Sequence, residues 1–66
     1  MEVGNVFFRV AGDYIDFATI KTSDSGYVIF MCVYGDTHYK SGAYMWKICD
    51  FLLDWTLYTE LNKALL

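Results

Sequence analysis

Residues 41–66 read SGAYMWKICDFLLDWTLYTELNKALL, and the fold turns on whether this stretch is one helix. Ser41 is a good N-cap residue, and the Ala, Met, Leu, Lys and Glu that follow it run on without a breaker. The expectation is a helix over about 42–65. Turning each residue by about 100° puts Met45, Ile48, Cys49 and Leu52 on one side, with Lys47, Asp50 and Asp54 in a narrow stripe opposite. Beyond Trp55 the pattern inverts. Thr56, Thr59, Glu60 and Lys63 take over the side that was apolar, while Leu57, Tyr58, Leu61, Ala64 and Leu65 continue along the charged stripe. Either the helix breaks near residues 56–59, or one straight helix turns its leucines away from the protein's own core. Thr56 and Thr59 weaken a helix only slightly, and no Gly or Pro marks a break there. The straight helix is the expected form, and its far side then faces another molecule.

Upstream the character is different. Turn-forming clusters at 11–13, 22–26 and 35–37 separate three runs dense in Val, Ile, Phe and Tyr, at about 5–10, 14–20 and 27–34. Connections this short favour an antiparallel meander, with room for a short fourth strand at 38–40. The expected class is α+β: a meander of three or four strands with one C-terminal helix packed on one face, in a single domain over 1–66.

Alternation within the strands sorts their residues by face. Val6, Phe8 and Val10 share one side of the first strand, and Phe7 lies beside Arg9 on the other. In the second, Asp16 stands among Tyr14, Ala18 and Ile20; in the third, both alternating sets are apolar or aromatic. One helix cannot cover both faces of such a sheet. A chain of 66 residues that is 56% hydrophobic and 20% aromatic is too rich in core-forming residues to be disordered, yet so small a domain buries only about 60% of the surface its unfolded chain exposes. A surface that meets another protein, or a second copy, is the expected outcome.

Charge narrows the partner. Five Lys and Arg against eight Asp and Glu give a net charge of −3, which disfavours a phosphate backbone and favours a basic protein surface. No uncharged apolar run reaches the length of a membrane-spanning helix, and the start of the chain lacks the basic region and apolar core of a signal peptide, so a cytoplasmic protein is expected. Cys32 and Cys49 lie in apolar stretches and are expected to be buried thiols; with His38 they make no recognised zinc spacing, and no metal or cofactor is expected.

The residues that suggest chemistry have plainer readings. Asp50 and Asp54 stand one helical turn apart, as an acid-base or metal-binding pair would, but Lys47 alongside makes them a solvated stripe. His38, beside a turn, has no activated nucleophile in view. The stretch SGYVIFMCVY at 25–34 has the aromatic look of an RNA-binding strand, but Ser25 occupies the place of its basic residue and Phe30 falls on the wrong alternate position.

The expected function is therefore non-catalytic protein binding. In size and style the chain has the look of small acidic accessory proteins with which phages and viruses block host proteins, nucleic-acid-handling defence complexes among them. Leu57, Tyr58, Leu61, Leu65, Trp46, Phe7 and Tyr14 are the candidate anchors, and Asp13, Asp16, Asp50 and Asp54 the candidate contacts to Lys and Arg. A homo-oligomeric structural protein is the alternative and a single-strand nucleic-acid binder the third reading. No small-molecule ligand is expected.

Overall fold

The first half of the chain folds as its turns direct. In the computed structural model, which describes residues 1–59, β1 (Val6–Ala11), β2 (Tyr14–Asp24) and β3 (Tyr27–Val33) form consecutive antiparallel hairpins. Between β2 and β3, Ser25 (φ +53°) and Gly26 (φ +84°) both take left-handed backbone. That is the two-residue type I′ pattern, whose twist matches that of the flanking strands. A bulge between Ile20 and Thr22 shifts the β2–β3 register, leaving Lys21 as the extra residue.

The second half departs from the expected helix. Gly42–Lys47 is a fourth strand, β4, paired antiparallel with β3, while residues 38–40, the candidate strand, form none. The helix α1 spans only Ile48–Asp54, and β5 (Thr56–Leu57) then pairs with β1. The sheet has five strands in the order β4-β3-β2-β1-β5. The extra strand has a physical reason: Tyr44 and Trp46 suit a pleated surface, and they sit opposite Phe30 and Val28, both buried. Packing against β3 outweighs the helix propensity of the neighbouring residues.

The helix ends without Gly or Pro. Trp55 is extended (φ −113°, ψ 139°), and its N–H still donates to Phe51 O at 2.9 Å. The chain then turns onto the free edge of β1, where Tyr58 N–H donates to Val6 O at 2.9 Å. Pairing with an open strand edge replaces the helical bonds that would have followed. This overturns the straight helix over 42–65, which breaks at Trp55 and Thr56.

The core lies between α1 and one face of the sheet. Phe51 and Trp55 stack nearly parallel, 11° apart with centroids separated by 5.6 Å. Phe51 meets Phe7 edge-on at 5.0 Å and Phe30 at 4.9 Å. Ala18, Ile20, Val28 and Cys32 complete the buried set. Each large side chain removed from water contributes about 1.5–3 kcal/mol, so a seven-residue helix, far too short to persist alone, is held by what its two aromatics bury.

Candidate interaction surface

A charged pair lies in the covered face. Arg9 and Asp16 are register partners on β1 and β2, and Arg9 Nε donates to Asp16 Oδ2 at 3.0 Å. Gly35 N–H donates to the other carboxylate oxygen at 2.9 Å. The guanidinium lies 4.4 Å from the Trp55 ring centroid, within cation–π range. With both carboxylate oxygens satisfied and the cation against an aromatic face, the pair can sit beside the core. Its consequence is that α1 lies on the side carrying Phe7, Arg9, Asp16 and Ala18, opposite the side carrying Val6, Phe8 and Val10.

The open face, the one opposite α1, runs across all five strands and is exposed at its two ends, while Val6 on it is buried and Phe8, Phe17, Thr19 and Met31 are half-buried. From the register, Phe8, Phe17, Val33 and Thr56 share one cross-strand row, and Thr19, Met31 and Ala43 share another. Val10 (67% exposed), Met45 (64%) and Val33 (55%) stand out from it, with Ile15, Tyr27 and Ile29 also exposed. Tyr58 lies on the same side, its ring 5.8 Å from Phe8 and 5.9 Å from Phe17. Asp24 and Lys47 lie on this face in the row of Tyr27 at one end, and Lys21, the exposed extra residue of the β2 bulge, follows buried Ile20 toward the same side. A shallow apolar groove of about 290 Å³ between Thr22, Tyr27, Ile29 and Met45 lies beside them. Exposed apolar side chains grouped in this way have the composition of an interaction surface.

Compared with protein-family models, with curated proteins and with solved structures, the chain matches none.

The candidate anchors divide between these surfaces. Tyr58 lies on the open face, and Leu57 is exposed on β5. Phe7, in contrast, is buried against Phe51 and cannot be a surface anchor. Trp46 is half-buried on the helix side, edge-on to Phe30 at 5.6 Å. Tyr14 is exposed at the rim of a cleft of about 510 Å³ whose other walls include Arg9, Asp16, Tyr34, Asp36 and Tyr39. Leu61 and Leu65 lie outside the described residues. Among the carboxylates, Asp13, Asp50 and Asp54 are exposed, whereas Asp16 is 3% exposed and committed to Arg9 and Gly35, so it does not contact a partner.

The remaining polar groups are local. His38 donates its backbone N–H to Asp36 Oδ1 at 2.9 Å and holds the same oxygen 2.8 Å from its Nδ1. Tyr34 donates its hydroxyl to Tyr44 Oη at 3.1 Å; that bond, with some desolvation, pushes Tyr34 up to about 12. Cys32 is a buried thiol, pushed up from its ordinary value chiefly by burial. Cys49, expected buried, is exposed on α1, because the break at Trp55 leaves Ile48, Phe51 and Trp55 to meet the sheet. Among the described residues no helix is long and apolar enough to cross a membrane.

The open face was half legible in the sequence. Alternation separated Val6, Phe8 and Val10 from Phe7 and Arg9, but did not say which set a helix covers. The signal that makes the choice is the opposite charge of Arg9 and Asp16, which becomes informative only once they are set side by side.

Proposed function

We propose that the chain is a non-catalytic protein-binding module that docks the sheet face opposite α1 onto another protein. The observation that carries this reading is the exposed apolar side chains on that face, Val10, Ile15 and Val33 toward one end and Tyr27, Ile29 and Met45 toward the other. Water against Val10, Ile15, Val33 and Met45 is unfavourable by roughly 25 cal/mol per Å² of apolar surface, so a protein cover is favoured. The module acts as a small accessory or inhibitor protein does, by occupying a surface of a larger protein. Asp50 and Asp54 lie on the opposite side with α1, away from that contact. Its working compartment is the cytoplasm, where Cys32 and Cys49 remain reduced.

The test is a matched pair of variants used as bait. Val33→Glu alters the open face, and Leu53→Glu alters an equally exposed apolar residue on the helix. The reading expects a purified partner that binds the natural chain and the Leu53→Glu variant to be lost by Val33→Glu. If both variants hold the partner equally, the open face is not the docking surface.

A further inference from the structure

The cleft walled by Arg9, Tyr14, Asp16, Tyr34, Asp36 and Tyr39 lies on the α1 side of the sheet, between the β1–β2 hairpin and the loop after β3. At about 510 Å³ it has the size of a ligand-binding cavity. One cation already lines it. The Arg9 guanidinium has the Asp16 carboxylate at 3.0 Å on its edge, the Trp55 ring 4.4 Å from its centre and the Tyr34 ring at 6.0 Å. A carboxylate at the edge of the plane and an aromatic ring against its face are the contacts that a guanidinium takes best.

The same two ingredients recur beside it with no cation between them. The Asp36 side chain is 24% exposed, and among the described residues no Lys or Arg lies within salt-bridge distance of it. Its neighbour is His38, whose Nδ1 and backbone N–H both meet Oδ1, and no hydrogen bond among the described residues occupies Oδ2. Tyr14 and Tyr39 are exposed and supply ring faces, and Tyr34 lies 5.4 Å from Tyr39. The arrangement is set before anything binds. Tyr39 N–H donates to Asp36 O at 3.1 Å and Gly35 N–H to Asp16 Oδ1 at 2.9 Å, so the loop carrying Asp36 and Tyr39 is tied to itself and to β2, and little ordering is left for binding to supply.

Charge fixes the sign of the occupant. Arg9 and Asp16 cancel, Asp36 remains, and the chain as a whole carries −3, so a cation is attracted, whereas an anion reaching for Arg9 would meet two carboxylates. Shape then selects among cations. A guanidinium is flat enough to stack on a tyrosine ring while its N–H groups donate to a carboxylate; an ammonium is a compact, strongly hydrated charge without a face. We infer that this cleft takes an arginine side chain of another protein, its N–H groups donating to Asp36 Oδ2 and its plane set against the rings of Tyr39 and Tyr14. The site lies on the other side of the sheet from the proposed docking face and does not depend on it.

NMR titration of the full chain with a blocked tripeptide that has arginine at its centre tests this, beside the same peptide with lysine or glutamate in that place. The expected result is saturable movement of the Tyr14 and Tyr39 ring signals and of the Gly35 amide with the arginine peptide, weaker binding of the lysine peptide, and no movement with glutamate. Asp36→Asn, which keeps an acceptor for His38 N–H, is expected to lower the affinity about tenfold, and Tyr39→Ala about threefold, as loss of a charge-assisted hydrogen bond and of an exposed cation–π contact would. Val33→Glu is expected to bind the peptide as the natural chain does even where it abolishes docking of the opposite face, so the two readings fail separately. The inference is overturned if none of the peptides moves these signals, if the glutamate peptide binds more tightly, if lysine binds as well as arginine, or if Asp36→Asn binds like the natural chain.

Discussion

Arg9 and Asp16 face each other across β1 and β2 as register partners, joined Nε to Oδ2 at 3.0 Å. This one contact decides which side of the sheet is covered, because it lets Trp55 settle on a cation that is already neutralised. Replacing Asp16 by Ala leaves the guanidinium without its anion and Gly35 N–H without its acceptor. Breaking a buried pair from one side costs about 3–5 kcal/mol, comparable to the whole stability of a domain this small. Urea unfolding should show Asp16→Ala largely unfolded at 25 °C and Asp16→Asn, which keeps an acceptor for Gly35, intermediate. Equal stability of all three would remove the pair from any role in the core.

Gly35 fits where no side chain can. A Cβ there would stand 2.4 Å from Ile15 O and 2.9 Å from Ile15 N, so the loop after β3 would have to lift off β2 and release Asp16. Gly35→Ala is therefore expected to lower stability by about 2 kcal/mol or more, in line with other changes that force backbone apart. Hydrogen exchange at the Gly35 amide should quicken in the variant; an unchanged melting temperature and amide would contradict the close approach.

Tyr34 and Cys32 both favour their protonated forms in the fold, and the sign of the pH dependence follows. The unfolded chain gives up the Tyr34 proton near 10, whereas the folded chain holds it to about 12. The stabilisation is complete below pH 10 and is lost as the pH rises toward 12. Cys32, raised from 9.0, adds a loss of the same sign that begins above about pH 9. Tyr44→Phe removes the acceptor of the Tyr34 hydroxyl, so tyrosinate absorbance should then show the highest-titrating tyrosine move down. A profile identical to that of the natural chain would mean that the Tyr34–Tyr44 bond does not form in solution.

Phe51 and Leu53, two positions apart on α1, should behave oppositely. Phe51 is fully buried against Phe7, Phe30, Trp46 and Trp55, and truncation to Ala is expected to cost about 3–5 kcal/mol. Leu53 is 83% exposed, so its truncation should stay within about 0.5 kcal/mol. Thermal melts of the two variants suffice; similar shifts would mean that α1 packs through a different face.

The first three strands were legible because their turns carry Gly, Asp and Ser between runs of β-branched and aromatic residues. The stretch 42–47 was not: Ala43, Met45 and Lys47 are as much at home in a helix, and the alternation of Tyr44 and Trp46 spans too few residues to be counted against Ser41 as a cap. Nor does β5 leave a trace, since two residues have no period and their strand exists only because β1 offers an edge. The inverted apolar side beyond Trp55 was visible as a change of face. Its cause is a break that directs Thr56 and Leu57 to the sheet, without Gly or Pro to announce it.

Phe7 and Leu57, paired across β1 and β5, are fifty positions apart along the chain, and the aromatics that roof the core come just before the second of them. The hairpins of the first half can form from near neighbours, but nothing shields their greasy inner side until Phe51 and Trp55 arrive. Closure is thus the slow, long-range event. Sheet and helix melt as one unit, since the helix has no existence apart from the surface it roofs.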